Sequence, residues 1–267
     1  MDIKVLDENR SPIEVSISLS VKEAATLSRG AWLRMARILK VEPEAVREKA
    51  TSMFTRREIA QALAGIAMAN AAQQAFDRLG VTFMMTPKFT VPDEFAEGEA
   101  LEFTAKAYPV PEMELDLEKP IAVLEGEAPE DAIRRALRTR LHGSMPQSLI
   151  EAADAQAHAT FNKKLAEQGI TYREYRIQNN VKPSEVDERL ARESKHQLEE
   201  DIALDLTYIR CGLEYTEHDE FDALASLAPG SEAELKREFL ETGRICLLRQ
   251  ESRRRAAVRW AVNNLVQ

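Results

Sequence analysis

The sequence predicts an α+β protein, in which a small N-terminal domain of order strand–helix–helix–strand–strand precedes a mostly α-helical domain with projecting arms. Apolar and polar residues alternate over 13–19 and 101–107, which is typical of strands with one buried face. Beyond Pro129 the apolar residues instead recur at helical spacing. We therefore place the domains at 1–118 and 129–267, joined by a linker over 119–128.

Capping boxes, in which a Ser or Thr precedes a Glu by three residues, predict the starts of the two helices of the first domain. Ser20 with Glu23 begins the first helix, and Thr55 with Glu58 begins the second. Gly80 suits the end of the second helix. Its expected buried stripe comprises Ile59, Leu63, Ile66, Ala69, Phe76 and Leu79.

The strands of this domain are bounded by turn residues and prolines. Residues 3–19 hold two strand-like runs separated by the turn sequence at 9–12. A third strand over 81–91 should pair with 100–108 across a turn at 93–98. Prolines at 109 and 111 then end the last strand, because proline cannot donate to a ladder.

The second domain is predicted to be helical throughout. Ile133, Leu137 and Leu141 lie one turn apart, and the next apolar stripe continues until Gly169. A helix of roughly 27 residues, or about 40 Å, follows over 184–210, and its charged first half predicts that it projects. Further helix starts are predicted at Thr171 with Glu174, Thr216 with Asp219, Ser231 with Glu234, and Arg244.

Composition excludes several classes of protein. The chain has 267 residues, 30% of them charged, and a formal net charge of −9, which argues against a general nucleic-acid binder. Its two cysteines are too few for a disulfide framework. The N-terminus lacks the features of a signal peptide, and no apolar run reaches the roughly 18 residues needed to span a bilayer. We expect a cytoplasmic protein with no membrane partner.

No constellation of residues predicts an enzyme, a metal site or a cofactor. The four histidines are scattered, and the run at 217–220 is better explained as acids at a helix N-terminus than as metal ligands. Nucleotide-binding glycine loops and the G-x-S-x-G motif are absent from the sequence. Two interpretations remain for the arginines of the last helix: RNA contact, or structural ion pairs near the helix end. These arginines are Arg249, Arg253, Arg254, Arg255 and Arg259.

Two stretches carry a family resemblance. Residues 97–120 read EGEALEFTAKAYPVPEMELDLEKP, with a glycine turn, a Leu-Glu-Phe strand, prolines and a Met-Glu-Leu sequence. Residues 145–175 read MPQSLIEAADAQAHATFNKKLAEQGITYREY. The first resembles the end of the ribosome-binding domain of trigger factor, the bacterial nascent-chain chaperone, and the second resembles the start of that family's helical substrate-binding domain.

The chain departs from the family pattern at two places. Trigger factors typically insert a prolyl isomerase domain of roughly a hundred residues between these parts, but only 121–128 lie between them here. The family's basic docking loop has the form Gly-Phe-Arg-x-Gly-x-x-Pro. The corresponding region of this chain has Pro43 but lacks the Phe-Arg and the second glycine, and Glu42 and Glu44 lie on either side of Pro43. A weak basic remnant persists at Arg29, Arg34, Arg37 and Lys40. Ribosome docking is therefore expected to be weak or absent.

The resemblance implies an ATP-independent holdase that binds unfolded or nascent polypeptides. The alternative is a dedicated assembly or scaffold protein that holds one specific partner with the same architecture, and a homodimer is compatible with either. Flexible methionines and amphipathic tyrosines tolerate varied partners, although each could equally be a core residue. The client-binding candidates are Met145, Leu149, Phe161, Tyr172, Tyr175, Tyr208 and Leu213.

Overall fold

The structure is a computed structural model that describes residues 1–7, 11–91 and 99–266. Its contacts form two compact units. The first unit comprises Met1–Val110 and Tyr215–Arg255, and the second comprises Pro111–Glu214 and Ala256–Gln267. The predicted α+β class, with N-terminal strands followed by helices, is confirmed. The predicted turn at 93–98 and part of the turn at 9–12 lie outside the described residues.

The first unit contains four antiparallel strands, β1 Asp2–Asp7, β2 Ile13–Leu19, β3 Lys88–Phe89 and β4 Leu101–Ala107, which form a sheet in the order β1-β2-β4-β3. Buried and exposed residues alternate along the whole of β4, as its sequence predicts. The buried face contributes Ile17 and Phe103, which are directly paired across β2 and β4.

The strand predicted over 81–91 is much shorter than expected. Only Lys88–Phe89 forms a regular strand, because Pro87 has no N–H to donate and interrupts the ladder. Backbone hydrogen bonds nevertheless keep residues 82–84 beside 108–110. The segment is therefore paired, but irregularly.

Both predicted capping boxes of the first unit are formed. Ser20 caps α1, Val21–Leu39, and Thr55 caps α3, Arg56–Arg78. An additional helix, α2, spans Val46–Met53 after a 3-10 turn at Pro43–Ala45. Helix α3 buries Met68 and Phe76 in the same core as the sheet, whereas Leu79, expected in its buried stripe, is exposed because the helix ends there.

Three later helices complete the first unit rather than the second. They are α8 Glu217–Leu227, α9 Glu232–Glu241 and the first part of α10, Ile245–Asn264. Cys246 of α10 lies in the core cluster that contains Phe76, and Gln250 donates a 3.0 Å hydrogen bond to the Phe83 carbonyl. The predicted boundaries place all three helices in a contiguous 129–267 domain. The three helices instead belong to the same compact unit as the N-terminal segment. Contacts between residues so distant in sequence leave no local pattern from which they could be predicted.

The second unit is built around α7, Pro183–Arg210, which packs against α4, Pro129–Thr139, and α5, Gln147–Glu167. Its 28 residues match the long helix predicted over 184–210. Leu141, expected to extend α4, instead lies in β6, Leu141–His142, which pairs with β5, Glu114–Leu115, and Arg140 ends the helix before it. A short helix, α6, spans Tyr172–Asn179.

The segment predicted as a linker, 119–128, is fastened to the second unit. The Arg140 guanidinium donates hydrogen bonds of 2.6 and 2.7 Å to the carbonyls of Lys119 and Pro120. Glu127 accepts two bonds of 2.9 Å from Arg135 of α4. These bonds join the connector to the helices that follow it.

Candidate functional site

Two tight turns bring the end of α5, the short helix α6 and the start of α7 together. Gly169, at φ +69°, follows α5, and Asn180, at φ +51°, ends α6 in the same left-handed conformation. Between them Thr171 forms the predicted capping box: its Oγ1 accepts from the Glu174 N–H at 3.2 Å, while the Glu174 carboxylate accepts from the Thr171 N–H at 2.7 Å. The local sequence thus fixes the position of α6.

Three of the predicted client-binding residues meet at this place. We call Phe161, Tyr172 and Tyr175 the aromatic cluster. The Phe161 ring lies 5.0 Å from that of Tyr175 and 6.3 Å from that of Tyr172, both in edge-to-face contact. This arrangement is the favourable one for aromatic rings, and all three side chains are half-buried. Phe161 is therefore the centre of the cluster.

Two arginines cover the faces of these rings. The Arg189 guanidinium lies 5.8 Å from the Phe161 centroid and 5.9 Å from the Tyr175 centroid, and it donates a 3.0 Å hydrogen bond to the Tyr175 hydroxyl. Arg176 lies 5.6 Å from the Tyr172 centroid. Cation–π contacts of this kind stabilise exposed aromatic groups while placing charge beside them. The cluster is thus a mixed apolar and cationic surface.

An exposed aliphatic residue lies on α6, two residues after Tyr175 and therefore on a different face of the helix. Ile177 is 67% exposed, and so is available for contact without rearrangement. The sequence analysis missed Ile177 because it falls outside any buried stripe. It also missed Arg176 and Arg189, since their pairing with aromatic rings depends on the turns between the helices.

The remaining client-binding candidates lie elsewhere. Leu149 is fully buried, so it is a core residue and is removed from the candidate surface. Met145, Tyr208 and Leu213 are half-buried. Tyr208 lies nineteen residues beyond Arg189 on α7, or roughly 28 Å along the helix axis. Tyr208 is therefore distant from the aromatic cluster.

The basic remnant of the docking loop lies on α1 and at its C-cap, Lys40, and two of its cations have acidic partners within the first unit. Arg34 Nη2 lies 3.8 Å from the Glu238 carboxylate, and Arg37 is paired with Glu241 of the same helix α9. Burial lowers the pKa of the Arg34 guanidinium, against the opposing effect of Glu238. Arg29 and Lys40 are exposed. Two of the four cations therefore contact acids of their own chain.

The arginines of α10 also have structural contacts. Arg249 lies 2.8 Å from the Asp77 carboxylate, and the buried Arg254 lies 3.6 Å from Glu251. These contacts favour structural ion pairs over the RNA interpretation. Burial raises the pKa of the Cys246 and Cys211 thiols, which opposes formation of a thiolate.

No cluster of three or more potential metal ligands occurs within residues 1–7, 11–91 and 99–266. Over the same residues, every helix is too short or too polar to cross a bilayer.

Comparison with known proteins identifies a family. A search of curated protein sequences gives no match. A solved structure described as "Promiscuous Substrate Recognition in Folding and Assembly Activities of the Trigger Factor Chaperone" is 9% identical, with a TM-score of 0.45 over 99% of this chain and 100% of that chain. The family model for the bacterial trigger factor protein C-terminus matches residues 112–263, more than half of the sequence. The chain therefore belongs to the trigger factor family and has a chaperone-like role.

Proposed function

We propose that the protein is an ATP-independent holdase that binds unfolded or nascent polypeptides. The observation that carries this proposal is the aromatic cluster, which offers apolar contacts flanked by Arg176 and Arg189. Helix α6 also exposes Ile177 on another face, as a separate apolar anchor. Such a surface can contact apolar segments of many sequences, while its charges keep it from forming one large apolar patch. Binding and release would then need no nucleotide.

Weak individual contacts are expected from this surface. Full burial of a large apolar side chain contributes about 1.5–3 kcal/mol, and ordering of the client opposes it. Several such contacts are needed for micromolar affinity, which corresponds to about 8 kcal/mol. A client would therefore be held by dispersed anchors, including residues distant from the cluster such as Tyr208 and Leu213.

The test is suppression of aggregation of a denatured model client. We expect Ile177→Ser to reduce holding modestly, with little effect on the fold because Ile177 is 67% exposed. Leu124→Ser is the matched control, since Leu124 is also exposed, at 60%, and lies outside α6. Combining Ile177→Ser with substitutions of Tyr172 and Tyr208 should abolish holding in a protein whose helicity is unchanged by circular dichroism.

The alternative, a dedicated assembly or scaffold protein, would give a different result. Loss of all holding on a single substitution in a folded variant would contradict dispersed anchors and favour a pocket for one specific partner. Purification of the protein with one stoichiometric partner, rather than many unfolded clients, would favour the same alternative. Ribosome docking stays predicted to be weak or absent.

A further inference from the structure

A small polar pocket of about 250 Å³ lies within the first unit. Its walls come from the end of α3, the chain that follows, and the first part of α10. Phe83 and Cys246 supply apolar lining and are only 5% and 2% exposed. The volume is below the roughly 300–1,000 Å³ of pockets that take drug-sized ligands. It suits a group the size of one amino-acid residue.

Two arginines line the pocket with a single carboxylate. Arg249 and Arg253 lie one helical turn apart on α10, and Asp77 belongs to α3. Arg249 Nη1 donates to both Asp77 carboxylate oxygens, at 2.8 and 2.9 Å, which holds the guanidinium in place. Because a guanidinium has five N–H donors, Arg249 can bind a second acceptor beside Asp77. The lining charges favour an anionic ligand.

A buried side-chain amide in the pocket wall has an acceptor oxygen that needs a hydrogen-bond donor. Gln73 is only 5% exposed and lines the pocket, and its Nε2 donates to Asp77 Oδ1 at 2.8 Å. Its Oε1 has no hydrogen-bond partner in the part of the chain that the structure describes. Buried acceptors are nearly always paired, because leaving one unpaired costs stability. A ligand that places an N–H or O–H next to its anionic group would satisfy it.

We propose that this pocket binds the C-terminal residue of a polypeptide. The terminal carboxylate accepts from the arginines, the N–H of the last residue donates to Gln73 Oε1, and an apolar side chain contacts Phe83 and Cys246. A peptide end carries all three groups within one residue, which the pocket volume matches. This inference goes beyond the proposed holdase, since it uses other residues and stands if dispersed holding fails.

The test is calorimetric titration of the full chain with an N-acetylated pentapeptide that ends in leucine, as the free acid and as the C-terminal amide. The acid should bind at least about tenfold more tightly than the amide, since only the acid forms charge-assisted hydrogen bonds with the arginines. Arg249→Gln should weaken binding of the acid by at least about tenfold. Arg135→Gln, which removes a charge outside the pocket, should leave it unchanged.

A second variant separates binding from folding, because Arg249→Gln also removes the ion pair with Asp77. Gln73→Leu keeps that pair, so it should fold and still lose most of the acid binding. Equal affinity for acid and amide would overturn the proposal, as would unchanged binding in either variant. Inorganic phosphate that binds without being displaced by the peptide would identify a free-anion site instead. Aggregation suppression in the same variants should be unaffected, which distinguishes this result from a failure of the holdase proposal.

Discussion

Gly243 allows the turn between α9 and α10 to pass directly against α3. Its φ is +64°, and a Cβ added there would lie 2.5 Å from backbone atoms of Ala69 and Asn70. Gly243→Ala should therefore lower the free energy of unfolding, by about 1–2 kcal/mol through strain in the left-handed conformation and by about 1–3 kcal/mol through overpacking against α3. Denaturant unfolding measures this loss.

The control for that substitution is Gly230→Ala. Gly230 also has a positive φ, +81°, but no atom lies within 4 Å of its added Cβ. It should therefore incur only the conformational strain. Equal losses at the two positions would show that the close approach to α3 is relaxed at little cost.

Glu127 should make stability depend on pH. Its bonds from Arg135, and then from the Leu124 N–H, lower the pKa of its carboxyl below the ordinary value of 4.5. A lowered pKa in the folded state stabilises the protein above pH 4.5, and this contribution is lost as the pH falls through the folded pKa. Glu127→Gln should lower the melting temperature near neutral pH, with a difference from the wild type that vanishes in acid. Glu125→Gln, a nearby exposed control, should show no such difference.

At the scale of elements, α6 depends on its cap. Helices of only 8 residues are marginal alone, so the Thr171 capping box should decide whether α6 stays folded. Thr171→Ala should cost about 0.5–2 kcal/mol and speed hydrogen exchange over Tyr172–Asn179. Ser231→Ala is the control, because Ser231 makes no capping bond with its side chain. Unchanged exchange in Thr171→Ala would mean that ring packing alone holds α6.

The sequence predicts a contact most reliably when the two interacting residues are close together in the chain. The capping boxes at Ser20, Thr55, Thr171 and Thr216 are formed because each joins residues three apart. The Ser231 box is not formed, although its helix is. Pro43 is typical of a helix start, but helix α2, which follows it, is short and lacks a capping box, so the predicted order contains only two helices.

Contacts between distant segments could not be predicted in this way. Phe161, Tyr172 and Tyr175 were selected by residue type, but their meeting depends on two turns, as does their contact with Arg189. Leu149 is as apolar as a surface anchor would be, yet it lies in the core because α5 buries it completely. Periodicity alone does not say which partner covers an apolar face.

At the scale of the whole molecule, the first unit should fail to form from its N-terminal segment alone. A fragment 1–118 lacks the contacts of Cys246 and Leu247 with the core and the bond from Gln250 to Phe83. It should unfold at much lower urea than 1–110 joined by a flexible linker to 215–255. Circular dichroism measures both transitions. Coincident midpoints would mean that the contiguous division at 118 describes a self-sufficient domain.

The chain should also lack prolyl isomerase activity, because only 121–128 separate the parts between which the family's catalytic domain is typically inserted. Proline-limited refolding of a model protein should proceed at the uncatalysed rate with substoichiometric chaperone. A trigger factor that carries the isomerase domain is the positive control. Acceleration by this chain would require an active site that its sequence motifs do not indicate.

The first unit consists of two segments that are far apart in the chain, so they are synthesised at different times. Asp77 and its partner Arg249 are 172 residues apart, and translation at about 5–20 residues per second separates their synthesis by roughly 9–34 s. During that interval the sheet and α3 are present without Cys246, Leu247 and Gln250, which later pack on them. This chaperone therefore passes through a nascent state with an incompletely covered core, and the domain that emerges first is completed only when α10 has been made.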